Sequence, residues 1–531
     1  MREEEHDKSG RGKPGPIDIK LRIAEIKKEE KEQTKMGISG KMEKNRMHLP
    51  KGPIAMTLSQ KSAVVQFEEL DQMIQEILAE KANDLARQTK FVQRKSPLDG
   101  AHFAQALIFG WLSHPEASYS FLQEMLAIAG CEVSAQALEQ RMTAEAADFL
   151  LALLSALSSA CVASEPVMTE ILTRFEGVYL QDGTVIGLPN ALQERYHGFG
   201  GNTSESGLSA LRVQVRLNVS TGAMQGPWIA EAVQSERQGP GWMQQTPLPA
   251  GALLLTDNGY ITLQEIKEHQ QQQRLWMSHA RADFQVTDAA GVKYSLPQFV
   301  QKKAKAGVVD EWVTVGSQPS LQQKVRLIAF AVSDESQRKQ HERVGQQSKA
   351  RAKGSRGEAV VGKKHQPTKT KPHRHRPSKA RQALSGWTVL LSNVPKERLA
   401  AHEARVLIRV RWQIELLWRL WKERGQVDIW RSAKPMRILC EMYAKLMGCM
   451  IHHWIILKGC WQQPDRSMVK ASQVVQALAP GYLLSWAGPL TSAQVLLRMG
   501  QAMNRCRLNH RPTRLSTAQL LEQPDRVLAF G

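Results

Sequence analysis

The chain has 531 residues, 42% of them hydrophobic, with a formal net charge of +20 at pH 7. That size fits a globular protein of two to four domains with a large core, and the charge points to a polyanionic partner, most simply nucleic acid. The charge is uneven: 338–381 holds 15 Lys/Arg against two acids and 1–56 holds 14 against 10, so the remainder carries only +3.

Six cysteines form no CxxC pair and no metal-ligand spacing, as expected of buried free thiols in a reducing compartment. The longest apolar run, 149–163, is short for a membrane span and contains three serines. No signal peptide opens the chain. A soluble cytoplasmic protein is expected.

Residues 1–56 are charged, with few apolar positions, and read as a disordered tail; Met56 is an alternative start. From 57 to 165 the spacing predicts helices: Phe67, Leu70, Met73, Ile74 and Leu78 recur at three and four, and further helices fall near 101–113, 117–129, 134–142 and 144–161. Ser134 is the expected N-cap of a short helix carrying Gln136, Gln140 and Arg141. This is read as a helical DNA-binding domain, an ordinary bundle being the alternative.

The texture then changes. Phe175-Glu176-Gly177-Val178-Tyr179-Leu180-Gln181-Asp182-Gly183-Thr184-Val185-Ile186 reads as a strand and its turn. Leu211, Val213, Val215, Leu217 and Val219 alternate as in a half-buried strand, and 251–256 reads as a buried one. A helix is expected at 263–270, and strands at 275–277, 283–286, 311–315 and 325–332. The basic stretch 338–381 lacks apolar periodicity and reads as a mobile loop. Trp387-Thr388-Val389-Leu390-Leu391-Ser392 is another buried strand, and 431–531 is helical. Strands interleaved with helices imply an α/β or α+β sheet domain.

Within 407–422, Leu407, Val410, Ile414, Leu417 and Trp421 make an apolar helical stripe. Arg411, Glu415 and Lys422 share a neighbouring face. Asp182 and Asp257 each follow an apolar run at an expected strand end. Two strand-end carboxylates and a third from a helix suit two hard divalent cations such as Mg²⁺, which take oxygen ligands. Each acid also has a plainer reading: Asp-Gly and Asp-Asn-Gly are turn sequences, and Arg411–Glu415 is an i,i+4 surface pair.

Together these motifs resemble the bacterial insertion-sequence transposases of the DDE class, in the insertion-sequence-four-like group with a Tyr-Arg-Glu-Lys signature. Arg411, Glu415 and Lys422 match its spacing, whereas the Tyr position is Ile408. Leu180-Gln181-Asp182-Gly183-Thr184 and Leu255-Thr256-Asp257-Asn258-Gly259-Tyr260 resemble the motifs of the two aspartates. Further likeness lies in 133–141, 387–395 and Arg511-Pro512-Thr513.

The resemblance implies an α/β fold with a ribonuclease H-like catalytic domain at 170–273, a β-rich insertion at 274–385 and completion at 386–430. Asp182, Asp257 and Glu415 would be catalytic and bind two Mg²⁺ ions, with Mn²⁺ as a substitute. Arg411 and Lys422 would bind DNA phosphates. Trp276 or Trp312 would be candidates to stack on a flipped base, with core packing as the plainer role. Terminal inverted repeats and target DNA would be the partners of a homodimer without membrane contact, in a bacterial cytoplasm and on the nucleoid. A nuclease without strand transfer, or a non-catalytic DNA-binding relic, remains the alternative.

Overall fold

The computed structural model describes residues 58–200, 208–235, 237, 241, 245–332, 379–486, 491–509 and 515–527. The tail 1–56, nearly all of the basic stretch 338–381 and the Arg511-Pro512-Thr513 motif lie outside the described residues. Helix α1 (Leu58–Glu76) runs through a π-turn into α2 (Ala82–Gln88). The next four helices start on side-chain caps, which satisfy first-turn amides that have no partner within the helix. Asp99 caps α3 (Gly100–Ser113), Ser118 caps α4 (Tyr119–Ile128), Ser134 caps α5 (Ala135–Gln140) and Thr143 caps α6 (Ala144–Ser158). The Ser134 cap is the one expected from sequence; its Oγ accepts from Ala137 N at 3.1 Å.

A one-turn helix α7 (Glu170–Thr173) leads into the sheet. Its strands are β1 (Val178–Leu188), β2 (Ser209–Asn218), β3 (Met224–Glu231) and β4 (Leu253–Thr256), then, after helix α8 (Leu263–Gln271), β5 (Leu275–His279). β6 (Gln285–Thr287), β7 (Lys293–Ser295), helix α9 (Leu296–Lys303), β8 (Val308–Val315) and β9 (Gln323–Ala331) follow. Helix α10 (Lys379–Ala383) precedes β10 (Trp387–Ser392). The ten strands form one sheet in the order β3-β2-β1-β4-β5-β10-β9-β8-β6-β7. β1, β4 and β5 run parallel, and all other neighbours are antiparallel. The sheet therefore runs unbroken across residue 274.

Alternate residues of each strand serve two cores. Leu180, Leu255, Met277, Ile328 and Leu390 face a large helical core. On the opposite face, Trp276, Leu327, Val389 and Leu391 pack with Ile266 of α8 and Phe299 of α9, while Tyr179 and Leu254 pack with Tyr260. The helical core is built around α13 (Pro435–Cys460), reached through α11 (Ala401–Val410) and α12 (Trp412–Arg419). α13 packs on α3 and α6 and on the later α14 (Met468–Ser485) and α15 (Ser492–Met503); α16 (Thr517–Glu522) follows. Helices from 58–158 and 435–503 thus share one core.

Two expectations change. Asp182 does not end β1: the ladder with β2 continues through Asp182↔Val215 and Gly183↔Gln214 to Leu188↔Ser209, so the Asp-Gly pair makes no turn. β2 is buried on both faces rather than half-buried, because the loop after β3 covers its polar side. There Arg216 donates to the carbonyls of Gly241 (3.0 Å) and Thr246 (2.9 Å), and Arg212 to that of Ala232 (2.9 Å).

Candidate active site

The parallel ladder pairs Leu180 of β1 with Leu255 of β4, and Leu255 with Met277 of β5. Asp182, Asp257 and His279 each stand two residues further along, and side chains two apart share a face. Asp182 within β1, Asp257 just past the end of β4 and His279 at the end of β5 therefore occupy neighbouring register positions on three adjacent strands, about 4.8 Å from one strand to the next. By strand alternation Asp182 and His279 share the face of Leu180 and Met277, the side of the helical core. Ser278 Oγ donates to the Asp257 carbonyl at 2.8 Å and fastens the end of β4 to β5.

Glu415 lies on α12, which packs against β1. Leu407, Val410, Ile414, Leu417 and Trp421 are all buried, so the predicted apolar stripe anchors this segment. Fully burying such side chains contributes about 1.5–3 kcal/mol each. Ile408, at the signature's Tyr position, is also in the core. The helix is not continuous as expected: a turn falls at Arg411, and Leu420–Arg424 forms a π-turn. The wider π-turn moves Lys422 off the α-helical phase that would align it with Glu415.

Local partners hold the three acids. Asp182 Oδ1 accepts from Gly183 N at 2.9 Å, Asp257 Oδ1 accepts from Gly259 N at 2.8 Å, and Glu415 Oε1 accepts from the Arg411 guanidinium. His279 is half-buried; burial foremost, reinforced by the Arg411 guanidinium and opposed by Asp257, pushes its pKa down to about 4. The imidazole is thus neutral and lies within electrostatic reach of both the Asp257 turn and the Arg411 turn.

The donor set, oxygen-only in its acids, suits hard divalent cations, and the strand register brings two of those acids to neighbouring positions. The third remains on Arg411: among the described residues, no group of three or more His, Cys, Asp or Glu side chains is placed to hold a metal ion. The six cysteines are free, five of them buried. Trp276 is fully buried in the core, and Trp312 lies under Lys324 Nζ at 6.0 Å from its ring centre.

Sequence reasoning missed His279, although Leu-x-Asp, Leu-x-Asp and Met-x-His repeat within β1 and at the ends of β4 and β5. It also passed over Trp412, an exposed aromatic beside Arg411 with the Arg419 guanidinium 5.1 Å from its ring centre. Two aspartates in neighbouring register, Glu415 on the helix packed against β1, and Arg411 and Lys422 in the turns at the two ends of that helix are the residue types that chemistry on a phosphate ester uses.

Comparison with known proteins names the class. A family model described as a transposase DDE domain matches residues 173–451, more than half of the chain and all five residues predicted for the site. The chain belongs to this family; it is a DDE transposase, an enzyme acting on DNA. It is 24% identical over 401 residues to the transposase for insertion sequence element IS231F of Bacillus thuringiensis subsp. israelensis, covering 72% of this chain and 80% of that one. It is 23% identical over 392 residues to the IS231B transposase of Bacillus thuringiensis subsp. berliner, with 69% and 75% covered. The IS1151 transposase of Clostridium perfringens is 18% identical over 387 residues, with 70% and 77% covered. Among the described residues, no helix is long and apolar enough to cross a membrane.

Proposed function

We propose that Asp182, Asp257 and Glu415 are the catalytic carboxylates of cut-and-paste transposition and hold two divalent cations, Mg²⁺ with Mn²⁺ as a substitute. The observation that carries this reading is the shared register of Asp182 and Asp257, two residues beyond the pair Leu180↔Leu255. Strands β3-β2-β1-β4-β5, the first three antiparallel and the last two parallel to β1, are read as a ribonuclease H-like domain. The strands after β5 and before β10 are read as its β-rich insertion.

When bound, a pair of divalent cations activates the attacking oxygen and stabilises the leaving one. The protein's task is placement. Asp182 presents oxygens from within β1 and Asp257 from the end of β4, and Glu415 presents one from the covering helix. Arg411 offers a planar fork to a non-bridging phosphate oxygen, and Lys422 a point charge to a neighbouring phosphate. Water attacks phosphorus at the element's end, the P–O3′ bond breaks and a 3′-OH is released. That hydroxyl then attacks a target phosphodiester, forming the new P–O3′ bond as the target's own 3′ oxygen leaves. No protein nucleophile is needed.

Handling two ends together calls for a homodimer on DNA. The exposed Gln136 and Gln140 on α5 are candidates to read the terminal inverted repeats. The stretch 338–381 adds sequence-independent affinity through its charge. A strand-transfer assay with pre-cut ends tests the reading: joined product is expected, and cleavage without joining would reduce the protein to a nuclease.

A further inference from the structure

Arg411 and Glu415 are each needed in two places. A guanidinium terminal nitrogen of Arg411 holds a Glu415 carboxylate oxygen one helical turn away. The Arg411 Nε is buried with no hydrogen-bond partner. The side chains are 18% and 34% exposed, so water screens the pair less than it would a pair on the open surface. An unspent buried donor carries a penalty, which a phosphate can remove: its oxygens match the guanidinium fork in a two-point contact that one carboxylate oxygen does not provide. A Glu415 oxygen held by Arg411 is, in turn, compromised as a cation ligand, because the guanidinium brings positive charge to the position the cation would occupy.

We propose that Arg411 holds Glu415 out of the metal site until a DNA phosphate takes the guanidinium, so that DNA and divalent cation bind cooperatively. This rests on the assignment of Asp182, Asp257 and Glu415 proposed above. It makes Arg411 a positioning residue acting through Glu415, as well as a phosphate contact. It explains how two aspartates can be in register while the third acid is turned aside. Binding linkage makes the effect reciprocal: the cation must strengthen DNA binding by the same factor as DNA strengthens cation binding.

The test is Mn²⁺ binding to the full chain, read by electron paramagnetic resonance of the free ion, with and without a short 5′-phosphorylated duplex. Wild type should bind Mn²⁺ about tenfold more tightly with the duplex than without it. Arg411→Gln should bind Mn²⁺ without DNA about as tightly as wild type does with it, and the duplex should add little. Arg411→Met, which keeps the aliphatic packing, should behave alike and covers the case in which the Gln variant does not fold. Unchanged DNA-free affinity in the folded variants would overturn the gate. Asp182→Asn reports separately on the site: it should weaken Mn²⁺ binding in the presence of DNA, and if it does not, the carboxylate assignment falls and the gate with it.

Discussion

Asp182 and Asp257 come from parts of the chain 75 residues apart, yet each stands two residues beyond one member of the same β1–β4 pair, Leu180↔Leu255. Their spacing is set by the sheet ladder and by buried leucines on either side, not by a flexible loop. Asp182→Asn and Asp257→Asn keep size and much of the local hydrogen bonding but remove the charge. Each should lower the Mg²⁺-dependent cleavage rate by about a thousandfold, the loss of roughly 4 kcal/mol of charge stabilisation. DNA affinity, measured by fluorescence anisotropy without divalent cation, should stay within a few-fold of wild type. Retained cleavage in either variant would remove that residue from the site.

Lys422 lies within the π-turn that follows the helix of Glu415, so its contact is expected to be a phosphate beside the reacting one. A lysine that neutralises one phosphate contributes about 0.9 to the slope of log affinity against log salt. Lys422→Ala should therefore weaken duplex binding and reduce that slope by about one, equally for cognate and unrelated sequences. Anisotropy titrations across a salt series measure it. An unchanged slope would mean that Lys422 does not touch the backbone.

Features carried by a local period were legible in the sequence. The strand 387–392 and the stripe from Leu407 to Trp421 occur as expected because burial of one face dictates the spacing of apolar residues. Features set by distant partners were not. Asp182-Gly183 carries a turn signal, but the ladder with β2 holds both residues in strand. Arg212, Gln214 and Arg216 look like a solvent face until the loop after β3 is laid over them. His279 enters the site only through the β4–β5 register, and the π-turn before Gly425 leaves no periodic mark. The shared core of the early and late helices depends on contacts between residues hundreds of positions apart, which no local pattern encodes.

Arg216 is fully buried, and burial lowers its pKa to about 10, so it remains charged near neutrality. It donates to Gln181 Oε1 (3.0 Å), Gln225 Oε1 (3.2 Å) and the carbonyls of Gly241 (3.0 Å) and Thr246 (2.9 Å). Removing it strands several acceptors, each at a cost of about 1–3 kcal/mol. Arg216→Met should lower stability by about 3–5 kcal/mol, while Gln225→Ala should lower it by about 1 kcal/mol. Denaturant unfolding compares them. The same loop reaches the Asp257 segment where Arg237 donates to Thr262 Oγ1 at 3.0 Å, so Arg216→Met should also slow cleavage under conditions where it remains folded. A melting point equal to wild type would show that the loop needs no such anchor.

Asp99 and His102 give a pH dependence whose sign follows from the fold. Asp99 Oδ1 accepts both the His102 amide, at 2.9 Å, and its ring Nδ1, at 2.8 Å. The side-chain bond raises the His102 pKa above its usual value, against burial. Burial pulls the Asp99 carboxyl upward, but the bonds and charge of His102 outweigh it and hold its pKa below the usual range. The raised His102 pKa contributes stability that is complete below about pH 6.5 and is lost as pH rises through its folded value. The lowered Asp99 pKa contributes stability present above about pH 4 and lost as pH falls through its folded value. Both contributions coincide near pH 5–6. Asn still caps a helix but carries no charge, so Asp99→Asn should lower the melting temperature most near pH 5.5 and least near pH 8. Thermal melts of wild type and variant at both values decide it, and an equal difference at the two would show that the ion pair adds nothing beyond the cap.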